Sequence, residues 1–264
     1  MTEKITMPMP GTLGGAKLVF KKESMDKKIL VTSGCSYTAI GHEGLSWPGY
    51  LSTAIGCDHI NYACISAGNR YISSSLIYGI SEALKTYEPK DIIVGVIWSG
   101  NSRGSLFKSN INTRDITCLW ESHNPIGFID KNWIITNHHW DDRTTKNYYT
   151  THDDDTDFEI QTLEHILRVQ WFLESKKVDY FMSTFAPGVL PTAPNANTQH
   201  LLDLVNWNKF LDVENYITWC INSGIPLSED DQKLPITFMH PTKEHHKAFV
   251  NQVIVPFIGE PKVD

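Results

Sequence analysis

Ser36 stands in the stretch Lys28 to Gly41, KILVTSGCSYTAIG, directly after the apolar run Ile29, Leu30 and Val31. A run without polar alternation predicts a strand covered on both faces. Gly34 then permits a sharp turn, and a serine hydroxyl raised at the end of a central strand is a candidate nucleophile. The same segment also reads as an ordinary strand-to-helix connection whose Ser and Thr side chains cap the next helix. It is not the G-x-S-x-G elbow, because position 38 is threonine. His240 supplies complementary chemistry from the segment Met239 to Pro256, MHPTKEHHKAFVNQVIVP. Pro241 suits a first helical turn, Ala248, Phe249, Gln252 and Val253 follow helical spacing, and Pro256 is expected to end the helix. His240 then lies just outside the helix start, on the rigid mount a general base needs. His245 and His246 fall inside the helix and are expected at its surface.

Gly68 and Asn101 are candidate donors to a developing negative charge. The segment Asn61 to Asn69, NYACISAGN, ends a second strand at Gly68 and opens a helix with Ile72, Leu76, Ile80 and Leu84 on one face. Backbone N–H groups at a helix start are unpaired and can hold an oxyanion; Gly68 reads equally as a glycine that only permits the turn. Asp91 to Trp98, DIIVGVIW, is the clearest buried strand and ends in Ser99-Gly100-Asn101-Ser102-Arg103. The Asn101 amide could donate a further hydrogen bond at that sheet edge, or the segment is a plain turn. Arg103 reads as binding an acidic substrate group or as pairing with an acid of the segment that follows.

The elements that must position these residues alternate strand and helix, with a strand at Val178 to Phe185, a helix before it carrying Ile160, Leu163, Leu167 and Trp171, and helical spacing again over 198–221. This pattern predicts one α/β domain, a three-layer α/β/α sandwich with a mainly parallel sheet, over 27–264. Residues 1–26, rich in Met, Pro and Gly, read as an irregular arm. The stretch at about 105–157 breaks the rhythm with Trp120, Trp133, Trp140, Tyr148 and Tyr149, and reads as an insertion over the active edge. Its aromatics suit stacking on sugar rings or a small core of their own.

Composition narrows the partners. With 41% hydrophobic and 20% charged residues the chain is an ordinary globular protein, and a net charge of -7 argues against nucleic acid. Five scattered cysteines without a C-x-x-C spacing read as reduced thiols. No run approaches the roughly 18 apolar residues that cross a bilayer, and the N-terminus lacks a basic-then-apolar leader, so a soluble, cytoplasmic protein with no membrane partner is expected. No metal or other cofactor is expected. Asp153, Asp155, Asp157 and Glu164 have calcium-loop spacing, but Phe158 occupies the glycine position; the acids suit the following helix dipole instead. His138, His139 and His152 match no zinc spacing.

Together, Gly34-Cys35-Ser36-Tyr37-Thr38, Gly68, Gly100-Asn101 and His240-Pro241-Thr242 resemble the serine, glycine, asparagine and histidine blocks of the SGNH or GDSL hydrolase family, in the same order. The resemblance covers about residues 27–104 and 160–258. It implies a flavodoxin-like SGNH hydrolase fold and a serine esterase acting on a small-molecule or carbohydrate ester, such as an O-acetylated sugar. It makes Ser36 the nucleophile, His240 the base, and Ser36 N–H, Gly68 N–H and Asn101 the oxyanion hole. Two positions depart from the family. Cys35 replaces the usual aspartate of the serine block, and Thr237 and Phe238 stand where an orienting aspartate precedes the histidine. Glu229, Asp230 or Asp231 could supply that carboxylate if the loop folds back. The rival readings are a binding or structural module that kept the fold without efficient catalysis, and thiol chemistry at Cys35 with His240.

Overall fold

The computed structural model describes residues 28–39, 46–107, 133–136, 143–151, 154–228, 231–233 and 239–259. The expected arm at 1–26 lies outside these residues. Strands β1 (Ile29–Gly34) and β3 (Ile92–Trp98) are buried along their whole length, as their unbroken apolar runs require. They pair in parallel, from Ile29 opposite Ile92 to Gly34 opposite Ile97. β2 (Asp58–Asn61) lies parallel on the other side of β1, and β6 (Asp179–Thr184) parallel on the far side of β3, giving the order β2-β1-β3-β6.

The placement of the helices follows from that order, because crossovers between parallel strands are right-handed. α1 (Trp47–Ile55) carries the chain outward from β1 to β2, whereas α2 (Asn69–Ala83) carries it back across β1 to β3. The two helices therefore fall on opposite faces. α4 (Asp155–Lys176) runs from β3 to β6 in the direction of α2 and packs beside it, while α7 (Lys243–Phe249) and the π-helical turn Val250–Ile254 pack beside α1. The molecule is thus an α/β protein with a four-stranded parallel sheet between helices, compatible with a three-layer α/β/α arrangement. Trp47 and Leu51 of α1, Ile72, Leu76 and Ile80 of α2, and Leu163, Ile166 and Leu167 of α4 fill the core against the sheet. The direction of the connections reverses between β1 and β3, and the crevice outside their carboxyl ends is where such a sheet places a ligand. Among the described residues no helix is long and apolar enough to cross a membrane.

Several local expectations are corrected. Residues 198–221 do not form one helix; they divide into α5 (Ala196–Leu202), a 3-10 turn at Trp207–Lys209, and α6 (Tyr216–Asn222). Between them Leu211 N–H donates to the Met182 carbonyl (2.8 Å) and Phe210 bridges to Met182, which draws the chain straight along the edge of β6. The Asn215 side chain then caps α6 and restarts the helix. On α4 the buried face runs from Leu163 through Ile166 and Leu167 to Gln170 and Leu173, so Trp171 is turned outward and is 52% exposed. Pro256 does not end the last helix. The chain passes through the π-helical turn into α8 (Val255–Ile258), where Pro256 sits in the first turn and needs no N–H donor, and stops at Gly259 with φ of 71°.

The insertion begins with its own pair of strands, β4 (Gly104–Phe107) antiparallel to β5 (Trp133–Thr136), followed by α3 (Arg143–Thr151). Of its aromatics, Trp133 and Tyr149 pack inward, whereas Phe107 is 52% exposed. The Trp133 ring meets Tyr71 edge-on at 5.7 Å and Phe107 at 5.6 Å, and the buried Tyr149 donates its hydroxyl proton to the Ser102 carbonyl. Trp120, Trp140, His138, His139, His152 and Asp153 lie outside the described residues. Asp154 caps α4 by accepting from the N–H groups of Thr156 and Asp157, with Asp155 and Asp157 in the first turn. Those acids serve the helix start.

Candidate active site

The loop after β1 is held from three sides. The Cys35 carbonyl accepts from Thr38 N–H and Ala39 N–H, each at 2.9 Å, which coils Ser36 to Ala39 into a single turn. The Thr38 carbonyl accepts from Ser46 Oγ (3.0 Å) and from Asn61 Nδ2 (2.6 Å). Thr38 Oγ1 accepts from the indole Nε1 of Trp47 (3.2 Å), and Asn61 Oδ1 accepts in turn from Thr32 Oγ1 (3.1 Å). Gly34 is needed here for space. A Cβ at Gly34 would lie 2.3 Å from Thr38 Oγ1 and 3.0 Å from the Ile97 carbonyl oxygen, so the threonine at position 38 leaves room only for glycine at 34.

His240 reaches this loop from the start of α7. Its Nε2 lies 3.1 Å from Ser36 Oγ across 204 residues of sequence. Tyr37, beside Ser36, holds the histidine in two ways. Its hydroxyl donates to the carbonyl of Met239, and its ring stacks on the His240 imidazole with centroids 5.2 Å apart and planes at 22°. Tyr37 is 1% exposed and is itself wedged edge-on against Phe185 (5.0 Å) and Tyr216 (6.2 Å). The partners of Tyr37 are distant in sequence, Met239 lying 202 residues away.

The expectation that His245 and His246 lie at the surface is corrected: both are buried. Thr242 N–H and the Thr242 hydroxyl both donate to His245 Nδ1, so Nε2 carries the proton and donates to the Ile225 carbonyl (3.1 Å). Thr242 also caps α7 by accepting from the His245 N–H. This reciprocal box fixes the helix start on which His240 is mounted. The Tyr216 hydroxyl and His246 Nδ1 share a hydrogen bond at 2.5 Å. Burial, then the neighbouring His245 and His240, push His246 down to about 3, and burial pushes Tyr216 well up, so both are neutral.

The remaining candidates divide. Asn101 follows β3 at the same carboxyl edge; its Oδ1 accepts from Ser102 N–H (2.7 Å), and among the described residues its Nδ2 has no partner. The Ser36 N–H likewise makes no bond there. Gly68 is different, for its amide already donates to Ser105 Oγ on β4 (3.1 Å). A substrate oxygen would have to displace Ser105. A Cβ at Gly68 would lie 2.1 Å from the Arg103 carbonyl oxygen, so close approach of β4 accounts for this glycine. Asn69 beside it donates to the Ser99 carbonyl and to Thr162 Oγ1, both at 3.0 Å, and accepts from Ser99 N–H (2.8 Å). It ties the end of β3 to α2 and α4.

Arg103 places its guanidinium 4.9 Å from the ring centroid of Phe185 and donates from Nη1 to Ser99 Oγ (3.1 Å). Among the described residues it pairs with no carboxylate. Cys35 is fully buried, and His240 meets the serine hydroxyl rather than the thiol, which removes the support for thiol chemistry. Positions 229, 230, 237 and 238 lie outside the described residues, and the Asp231 side chain is likewise not described. Among the described residues no three metal-ligating side chains gather. Sheet and site together define a parallel α/β protein with a hydrogen-bonded serine and histidine at its switch point. Set against known proteins, the chain matches no protein-family model and no curated sequence.

Proposed function

We propose that the protein is a serine-dependent ester hydrolase of the SGNH or GDSL type, with the flavodoxin-like form of the α/β/α sandwich. The observation that carries this reading is the 3.1 Å approach of His240 Nε2 to Ser36 Oγ at the carboxyl edge of the sheet. That distance is within reach for general-base catalysis. His240 Nε2 takes the Ser36 proton as Oγ bonds to the ester carbonyl carbon. The negative charge that forms on the carbonyl oxygen is met by Ser36 N–H and Asn101 Nδ2. Collapse breaks the carbon–oxygen bond to the alcohol, which leaves with the proton returned by His240. Water then adds to the acyl-serine with His240 again as base, releasing the carboxylic acid and restoring Ser36.

The inward packing of Trp133 and Tyr149 removes two of the aromatics that favoured a sugar-stacking surface, and the hydrolase reading stands without it. The test is hydrolysis of short-chain aryl esters by wild type and Ser36→Ala, with fluorophosphonate labelling alongside. Turnover and labelling are expected to vanish together in the variant. Turnover that survives Ser36→Ala, or a folded wild type that neither turns over ester nor takes the label, refutes the reading and leaves a binding module.

A further inference from the structure

A second feature adjoins this edge on the side away from His240. A cavity of about 100 Å³ opens between α2, β4, α3 and α4, and Arg70, Asn101, Arg103, Tyr148, Gln161 and His165 are among the residues that line it. Neither arginine pairs with a carboxylate among the described residues. That is unexpected in a chain where 30 acidic residues outnumber 23 basic ones. Each is held instead by neutral groups: Arg70 lies 6.0 Å over the Trp133 ring, and Arg103 rests on Phe185 and Ser99 Oγ. A guanidinium carries five N–H donors, and these contacts leave most of them uncommitted.

The surroundings agree in sign. His165 Nδ1 lies 3.1 Å from Ser73 Oγ, and the imidazole is pushed down to about 4 by burial and then by Arg168 and Arg70. No acidic residue is among the described residues that line the cavity, and Gln161 Nε2, from its wall, donates to Asp157 Oδ2 at 2.5 Å. The volume suits one small polar group and is too small for a sugar ring. Asn101 lines the cavity and also follows β3 at the edge where Ser36 follows β1, so a group seated here lies at the same carboxyl edge of the sheet as Ser36.

We propose that this cavity is an oxyanion subsite, in which Arg70 and Arg103 hold a carboxylate or phosphate carried by the substrate beside its scissile ester. The substrate class is therefore an anionic ester. The placement beside an ester rests on the hydrolase reading above; the binding of the oxyanion does not.

The full chain carrying Ser36→Ala is titrated with inorganic phosphate and, separately, with acetate, and the histidine side-chain resonances are followed by NMR. A saturable shift at His165 is expected with at least one of the two, and the two arms decide between phosphate and carboxylate. Arg70 is exposed, so Arg70→Gln is expected to stay folded and to weaken that binding by about tenfold, the loss of one charge-assisted contact. Arg103→Gln is the second variant, with the same expectation. No saturable shift with either anion, or an affinity in both variants equal to that of the parent chain, overturns the subsite. In wild type, kcat/KM for an aryl ester ending in a free carboxylate or phosphate is expected to exceed that for its neutral counterpart, and Arg70→Gln to shrink the ratio. Anion binding with ester turnover that persists in Ser36→Ala sinks the hydrolase reading alone. Ester turnover that needs Ser36, with no anion binding, sinks the subsite alone.

Discussion

Tyr37→Phe separates the two ways in which one residue holds His240. The substitution removes the hydroxyl that donates to the Met239 carbonyl and keeps the ring that stacks on the imidazole at 5.2 Å. Tyr37 is 1% exposed and Met239 only partly buried, so water can replace part of the lost bond, and the stability cost is about 1 kcal/mol. For a chain of this size that lowers Tm by roughly 2–4 °C. The effect on rate is larger in proportion. Met239 precedes His240, and freeing its carbonyl frees the backbone that aims Nε2 at Ser36 Oγ. A misplacement of about 1 Å costs on the order of 100-fold, and with the ring still in place a fall of about tenfold in kcat is expected, with KM little changed. Tyr37→Ala removes the stack as well and is expected to cost about 3–5 kcal/mol of stability and to take kcat below that of Tyr37→Phe. The assay is steady-state hydrolysis of a short-chain aryl ester, with the rate of fluorophosphonate labelling as a second readout and a thermal melt as the third. Tyr37→Phe with wild-type kcat and wild-type labelling rate would refute the claim that Tyr37 positions the histidine.

Asn101→Ala is expected to lower kcat by about 10²–10³-fold with KM nearly unchanged, because its Nδ2 meets charge only as the transition state forms; steady-state kinetics with an unchanged kcat would remove Asn101 from the site. Gly68→Ala places a Cβ 2.1 Å from the Arg103 carbonyl oxygen and 2.9 Å from Ser105 Oγ, and since backbone cannot yield as a side-chain tip does, a loss of about 2–3 kcal/mol is expected in urea unfolding, with wild-type stability as the contrary result. His246, pushed down to about 3, and His165, pushed down to about 4, stay neutral in the fold where an unfolded histidine takes up a proton below about 6.5. The unfolded state therefore binds more protons as pH falls below that value, and stability falls by up to about 1.4 kcal/mol per pH unit for each histidine, toward pH 4 for His165 and pH 3 for His246. Urea unfolding at pH 7 and pH 5 measures it, His246→Gln is expected to flatten the dependence, and equal stability at the two pH values would overturn it.

What could be read from the chain alone divides along the line between local pattern and distant partner. The runs Ile29 to Val31 and Ile92 to Trp98 announced the two central strands because a strand covered on both faces admits no polar alternation, and the face of α2 was visible in its spacing for the same kind of reason. The break in 198–221 was not, since the periodicity there is helical and the deciding partner, Met182, lies on another strand. His245 and His246 were misplaced because histidines in a helix are polar by type; their burial depends on Ile225 and Tyr216, 20 and 30 residues away. Ser36 and His240 stood out by residue type and by position at element ends. Tyr37, whose partner is 202 residues distant, and Arg70, which looks like any helix-start cation, carried no such signal. Gly68 was singled out for its amide, whereas the structure gives it a steric role that depends on the path of β4.

Phe185 shows how the two halves of the candidate site come to share one geometry. It follows β6, where its N–H donates to the Trp98 carbonyl (3.0 Å) and its carbonyl accepts from Ile217 N–H (2.9 Å), so its backbone is fixed to β3 and to α6 together. One side of its ring receives the edge contact of Tyr37, and the Arg103 guanidinium lies within 4.9 Å of its centroid. Tyr37 in turn carries His240, and Arg103 lines the cationic cavity. A buried aromatic ring has few rotamers and a dense shell of neighbours, so it transmits position more faithfully than a polar side chain would. Tyr37 and Arg103 are thereby both referred to one ring whose backbone is fixed to β3 and α6. If the proposed reading holds, a substrate that presents an ester to Ser36 and an anion to Arg103 is measured against the span between the groups that flank this ring.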